Sequence, residues 1–401
     1  MRAATHPPRL LSRVAPLLVC ASLAAAPALA DVRCPEPAEG RRVTSVRYDG
    51  LTLTKPFVVD RERVNREGEP FTCAGWELEL RRLQGLDLFA DLSLEAVAQG
   101  EEVALTYRFI ELPRFLVYPA IRRSDIFGWL LGPGIGTVNL LGRDIRLEAY
   151  FRTVVHPDPF SSSEFLVRSQ SPWIGDVPIE YELVAGRSDF RNDVRSFRER
   201  NWELSVDFFH RLSEHFRLVY AVQLLYVSPD PASPGFRAPG EASPRPILVG
   251  SSGGDFVPGL GAGVLWDSRD RRVNPHGGIY QELRVTQFGG PIGGPADYRQ
   301  VMLDHRSWWS RRLLGEMQSI LHLSLLARMR PGRMGVYDYF VPGGPNSLRT
   351  VDPSAALYAQ HEVLGTVEVR QELIERYTVS LLGFDGYFGL QLVAGADLAA
   401  L

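Results

Sequence analysis

The chain has 401 residues, 45% of them hydrophobic and 23% charged, with a formal net charge of -3. That is room for one large β-barrel or two to three ordinary domains, and the near-neutral balance removes any electrostatic case for a nucleic-acid partner. Mean hydropathy of -0.08 is too low for a helical membrane protein, but it leaves a β-barrel open, because half the strand residues of a barrel face water.

Residues 1–30 read as a secretory signal peptide. Arg2, Arg9 and Arg13 form the basic start, Ala15 to Ala24 the apolar stretch, and Ala28-Leu29-Ala30 the small-x-small cleavage pattern, leaving Asp31 first in the mature chain. The apolar stretch is too short for a membrane anchor. Cys20 lies within it, and its flanks do not resemble a lipoprotein cleavage site. The mature chain keeps Cys34 and Cys73. Export implies an oxidising compartment, so a disulfide between them is expected, with two free thiols as the alternative. A metal site would need more ligands than lie nearby.

The segment 31–113 reads as a short lead and a small α+β domain. Val43 to Tyr48 alternates and stops at Asp49-Gly50, a turn signal. Pro56 through Val64 is a short helix candidate, and Trp76, Leu80, Leu83 and Leu86 recur at helical spacing. Leu88–Val97 and Val103–Leu112 are two further strands around a turn at Gln99-Gly100. The expected order is strand, helix, helix, strand, strand, enough to bury one modest core. The run "VTSVRYDGLTLT", the Arg-Glu pair before a glycine, the "LDLFADLSL" entry to the second strand and the closing Glu-Leu-Pro resemble a POTRA domain. That resemblance implies a module that binds client chains or partners by adding a strand at a sheet edge.

From residue 114 to 401 the pattern changes to serial alternation. Trp202-Glu203-Leu204-Ser205-Val206-Asp207-Phe208 sets every second side chain apolar, which gives a strand one greasy and one wet face. Thirteen such stretches are expected near 115–121, 127–138, 144–154, 161–171, 178–190, 200–210, 215–227, 257–268, 278–288, 297–310, 315–329, 362–375 and 386–398. Short turns such as Leu141-Gly142-Arg143 and Ser213-Glu214-His215 alternate with long links. The link at 228–254, rich in Pro, Gly and Ser, is expected to be a mobile extracellular loop. This is the pattern of an outer-membrane β-barrel, apolar outside with a polar lumen.

Two segments carry a closer resemblance. Asp267-Ser268-Arg269-Asp270 followed by Asn274-Pro275-His276-Gly277-Gly278 resembles the D-x-R-D…N-P-x-x-G hairpin of BamA/TamA-like outer-membrane proteins. The link at 330–361, with Val341-Pro342-Gly343-Gly344-Pro345-Asn346-Ser347-Leu348-Arg349, resembles the sixth extracellular loop of that family. Its tip motif, an aliphatic residue, Arg, Gly and an aromatic, folds back into the lumen. Leu348 and Arg349 match its first two positions. Thr350 and Val351 replace the glycine and the aromatic, and Thr resists backbone angles that Gly permits. The resemblance implies acidic partners for Arg349 on later strands, at Glu368 and Asp397, and alternation puts both acids on polar, luminal faces.

The family's barrel has sixteen strands. Thirteen are visible here and the chain stops at Ala399-Ala400-Leu401, so a C-terminally truncated barrel is expected. The resemblance implies a mainly β outer-membrane protein that assembles, inserts or translocates client proteins. Its POTRA domain would lie in the periplasm as receptor for unfolded or partly folded clients, with outer-membrane lipid and a periplasmic or lipoprotein partner around it, and it would use no cofactor. Two other classes compete. A passive pore would leave the POTRA domain without a use. A barrel enzyme would need a nucleophile, and although Asp207, His210 and Ser213 lie close in sequence, no G-x-S-x-G is present.

Overall fold

The computed structural model describes residues 34, 38–112, 115–124, 128–155, 162–192, 197–230, 248–250, 253–270, 274–314, 317–340, 358–381 and 384–401. The expected signal peptide lies outside them.

The small domain runs β1 (Arg42–Asp49), α1 (Pro56–Asp60), α2 (Cys73–Gly85), β2 (Phe89–Gln99) and β3 (Glu102–Glu111). Its sheet has the order β1-β3-β2, with β1 parallel to β3 and β2 antiparallel to it. Both helices contribute to one core in which Val43, Val58, Phe71, Trp76, Leu83, Leu105 and Tyr107 are all but inaccessible. Thr72 caps α2, its hydroxyl accepting from the Gly75 amide at 3.1 Å. A disulfide joins Cys34 to Cys73, the first residue of α2, with Cα atoms 5.5 Å apart.

One carboxylate organises this core. Glu79 of α2 is fully buried, and it accepts from the Val64 amide at 2.5 Å, from the Asn65 amide, and from the Tyr107 hydroxyl at 2.7 Å. A carboxylate survives burial only when its lone pairs are so occupied. The same capture explains why α1 stops at Asp60 rather than at the expected Val64: the amides of Val64 and Asn65 are drawn to Glu79 instead of to carbonyls one turn back. Burial raises the Tyr107 hydroxyl pKa above its ordinary value, and the charge and hydrogen bond of Glu79 add to that.

All thirteen long strands follow. They are β4 (Phe115–Ser124), β5 (Gly128–Thr137), β6 (Arg146–Val154), β7 (Ser163–Ser171), β8 (Ile179–Asn192), β9 (Phe197–Arg211), β10 (Phe216–Pro229), β11 (Asp255–Asp267), β12 (Gly278–Gly289), β13 (Asp297–Leu314), β14 (Met317–Met329), β16 (His361–Leu381) and β17 (Phe384–Ala400). The two-residue β15 (Gly332–Arg333) pairs with β13 off the main path. Each long strand is hydrogen-bonded to its sequence neighbours in one antiparallel path from β4 to β17, and the sheet is not closed, for no pairing joins β4 to β17 among the described residues. The last two strands run longer than the sequence pattern suggests, because β16 and β17 stay paired past a bulge at Glu372–Ile374. Among the described residues no helix is long and apolar enough to cross a membrane.

The sheet's two faces separate by parity. Trp202, Leu204, Tyr220, Val222, Leu260, Val264, Leu283, Val285, Leu321, Leu325, Val367 and Val369 are exposed. On the opposite, concave face Glu282, Thr286, Asp304, His322 and Glu368 are buried. Val206 pairs with Val222 on the outward face, whereas Ser205 pairs with Gln223 on the inward one. Val206→Arg is therefore expected to cost about 2–4 kcal/mol near the bilayer midplane, and Ser205→Asp much less. Reversible denaturant unfolding in lipid vesicles checks this; equal costs at the two positions would be incompatible with the assignment.

Candidate functional site

The small domain sits on one end of the large sheet, at the turns between β5 and β6 and between β7 and β8. Asn139 donates from Nδ2 to Thr54 Oγ1 at 2.7 Å, and the Lys55 amide donates to the Gly142 carbonyl at 2.9 Å. Gly142 has φ +71, and a Cβ there would stand 2.0 Å from the Leu53 carbonyl oxygen, so only glycine fits this seat. Arg146 reaches the Leu86 carbonyl at 2.7 Å and Asp87 at 3.2 Å. Trp173 Nε1 donates to Glu62 at 2.7 Å, and Arg61 lies over the Trp173 ring at 5.2 Å. Asp144 is buried in the same seat. Burial pushes its carboxyl up to about 7, against the pull of Arg146 and Arg61.

The loop that docks here is itself held by Glu111, the last residue of β3. Its carboxylate accepts from the Thr52 amide at 2.8 Å and hydroxyl at 2.6 Å, the Leu53 amide at 2.7 Å and the Thr54 amide at 2.6 Å. Burial alone would raise its pKa, but these hydrogen bonds outweigh burial and hold it down to about 2. A depressed carboxyl contributes stability above its unfolded pKa and loses it as pH falls through the folded value. The domain, prepared as residues 34–112, is expected to lose stability between about pH 5 and pH 2. The full shift would amount to about 3 kcal/mol, and solvent screening of this half-exposed group reduces it to about 1–2 kcal/mol. Glu111→Gln flattens that dependence, which thermal unfolding at each pH reads.

The concave face carries a chain of ion pairs. Arg284 of β12 lies across β11 and β10 to reach Asp207 of β9 at 2.9 Å, while also holding Glu282 at 2.7 Å. It can lie flat because Gly263 is opposite it, where a Cβ would stand 2.4 Å from the Leu283 carbonyl oxygen. Tyr280 donates to Glu282 at 2.6 Å, and Arg306 grips Asp304 through Nε and an Nη at 2.9 and 2.6 Å. On β16, Arg370 holds Glu368 at 2.7 and 3.1 Å, and His322 Nδ1 of β14 lies 3.3 Å from the same carboxylate, its ring stacked on Trp308 at 4.9 Å.

The hairpin between β11 and β12 folds onto this chain. Arg269 donates to both oxygens of Asp267 at 2.8 and 2.9 Å, its guanidinium facing the rings of Tyr280 and Trp308. Asp270 accepts from the amides of His276 and Gly277 at 3.0 and 3.2 Å and so pins the turn. Asn274 takes the left-handed conformation with φ 50. Gly278 has φ +101, with a Cβ position 2.3 Å from the Ser268 carbonyl oxygen. Pro275 precedes His276 in the return to β12. The turn then reaches β16: Asn274 Oδ1 accepts from Arg370 at 3.4 Å, and His276 Nε2 lies 3.0 Å from Glu372, near enough to pair when protonated though off the hydrogen-bond axis. The sequence identified the hairpin but not this crossing.

Glu368 and Asp397 share the concave face, one pleat apart on adjacent strands. Glu368 pairs with Gly395, and Asp397 pairs with Thr366, whose hydroxyl donates to it at 3.1 Å. Arg349 lies outside the described residues. The two ends of its loop are visible. The Phe340 and Ala359 amides and carbonyls bond reciprocally at 2.8 and 3.0 Å, and Met334 and Val336 are buried. Tyr337 donates to the fully buried Asp255 at 2.7 Å, and Asp255 also accepts from Val249 and Gly250. So the end of the 228–254 link is pinned, Leu248 being buried in the same cluster; the stretch expected to be mobile falls largely outside the described residues. Asp207 and His210 face opposite sides of β9, and the Ser213 hydroxyl accepts from the Phe216 amide, so the three do not assemble.

Cys34, Cys73 and Glu39 cluster closely enough for a metal site, but the sulfurs are spent in the disulfide and Glu39 accepts from the Cys73 amide at 2.6 Å.

Alternating strands with an apolar outer face and a charged concave face are the features of an outer-membrane β-barrel protein. The Omp85 superfamily domain matches residues 146–381, more than half of the chain, and the chain belongs to that superfamily. A search of curated proteins finds no match. Among solved structures, the fold is similar to BamA from Haemophilus ducreyi lacking POTRA domains 1-3, at 12% identity and TM-score 0.59, over 89% of this chain and 85% of that one. It is also similar to CdiB from Acinetobacter baumannii (12% identity, TM-score 0.57, 90% of this chain and 63% of that one). CdiB from Escherichia coli is a further match (13%, 0.54, 84% and 62%). The chain thus spans less than two thirds of either CdiB.

Removing Arg370 would take the arginine charge from the buried Glu368 carboxylate and leave it His322 as a weaker neighbour. Arg370→Ala is expected to cost about 3 kcal/mol, and the added change Glu368→Gln to recover part of it. Denaturant midpoints of the three variants in detergent or vesicles check this.

Proposed function

We propose that this chain takes client polypeptides from the periplasm and inserts them into, or passes them across, the outer membrane, with residues 41–112 acting as a POTRA domain. The seating of that domain on the short-turn end of an Omp85 sheet is the observation that supports this reading most directly. In this orientation β2 offers an outer sheet edge in the periplasm, able to pair with an extended client or with a periplasmic or lipoprotein partner. The long links at 228–254 and 330–361 then lie at the extracellular end. Depletion of the chain is expected to lower the levels of other β-barrels, or of a secreted client, in the outer membrane. Unchanged levels with altered permeability to small solutes would instead favour a passive pore.

In the same reading Arg349 folds into the lumen and pairs with Asp397, with Glu368 adjacent. The shared face of the two acids and the pinned ends of the loop support it. An arginine fork can engage a carboxylate through two hydrogen bonds. A double-mutant cycle of Arg349→Ala and Asp397→Ala, read as barrel stability, is expected to show a coupling of about 1 kcal/mol or more. Additive effects would refute the pairing.

A further inference from the structure

Register across six strands lines up one row on the outward face. Phe151 pairs with Phe165, Phe165 with Arg187, Arg187 with Trp202, Trp202 with Tyr226, and Tyr226 with Phe256. All six side chains are exposed. The next row below is apolar: Ala149, Val167, Ala185, Leu204, Leu224 and Pro258. The row above turns polar: Thr153, Ser163, Asp189, Arg200 and Ser228. Five aromatics and one arginine therefore mark the height at which hydrocarbon ends, as aromatic girdles do.

Arg187 interrupts that girdle. Its guanidinium lies 5.1 Å from the centre of the Trp202 ring, a cation–π contact that holds the charge at the boundary. Arg200 and Arg198 stand just above it and share Asp189, at 3.5 and 2.5 Å. Asp230 also lies near Arg198, so three arginines face two aspartates and the described patch keeps a net positive charge. Beneath it a shallow groove runs between Trp202, Leu204, Leu224, Tyr226 and Phe256. This row lies at the end of the sheet opposite the small domain.

We propose that this patch binds the phosphate groups of a glycolipid of the outer leaflet, with an acyl chain lying in the groove below. An isolated arginine could reach water simply by extending its side chain. Here Arg187 is instead held over Trp202, with Arg200 one pleat above in the adjacent strand, so two guanidinium forks can converge on one phosphate. The leaflet follows from the orientation proposed above, and the inference rests on that reading.

The test is native mass spectrometry of the full chain, delipidated in detergent and then offered diphosphoryl lipid A, dephosphorylated lipid A or phosphatidylglycerol. Diphosphoryl lipid A is expected to be retained, the other two about tenfold less, and R187Q/R200Q should lose about tenfold in retention. R187K/R200K, which keeps the charge, should recover part of it. Heat-dependent gel migration establishes that each variant is folded, and R187Q alone reads the same loss if the double variant fails to fold. Equal retention by wild type and R187Q/R200Q overturns the proposal, as does equal retention of phosphatidylglycerol. Orientation is read separately by P291C, in the exposed turn between β12 and β13. Labelling by an impermeant maleimide in intact cells is expected. Labelling only after permeabilisation would overturn the orientation, and the leaflet with it, whatever the mass spectra show.

Discussion

A peptide group in hydrocarbon has no water to bond to, and each one left over costs several kcal/mol. The large sheet is built around that constraint. From β4 to β17 every long strand is bonded to its sequence neighbours, so the backbone groups between those two edge strands are consumed inside one ladder. A ladder of this kind fixes register, and register fixes which side chains share a height and a face. The outward aromatic row and the inward chain of ion pairs are both products of that one pairing pattern.

The concave face shows how charge is tolerated once the outer face is greasy. Arg284, Asp207 and Glu282 satisfy one another across four strands, and Glu368, Arg370 and His322 do so across two. Such groups can be buried because each has a partner of opposite sign or a hydrogen bond at hand. Their reach depends on small neighbours. Arg284 would meet a wall if Gly263 carried a side chain, so the luminal glycine is as much part of the ion pair as the carboxylates are.

Much of this was legible in the sequence because period-two alternation is a local signal. It located all thirteen long strands, put Val367 and Val369 opposite Glu368 and Arg370 in parity, and separated Asp207 from Phe208. Cys34 and Cys73, paired in the structure, could be nominated because they are the only two cysteines in the sequence after the expected signal peptide. Long-range contacts were not legible. Nothing in the run from Asp267 to Gly278 says that its turn reaches Arg370 and Glu372, since the partner lies almost a hundred residues away and no periodicity links them. Glu79 was likewise hidden, as a glutamate on an amphipathic helix ordinarily reads as solvated. Its role shows only once Val64, Asn65 and Tyr107 converge on it.

The join between the small domain and the sheet has a mechanical consequence. Leu112 is bonded to the Leu88 carbonyl at 2.9 Å, and Phe115 already begins β4. Only two residues, 113 and 114, separate the two bodies in sequence, and the seat at Asn139 and Gly142 clamps the Thr54–Lys55 loop that Glu111 holds, close beside that join. A pull on the outer strand of the domain cannot be absorbed by stretching a linker. It reaches the membrane-spanning sheet as a torque on the turn between β5 and β6, close to the sheet's first edge.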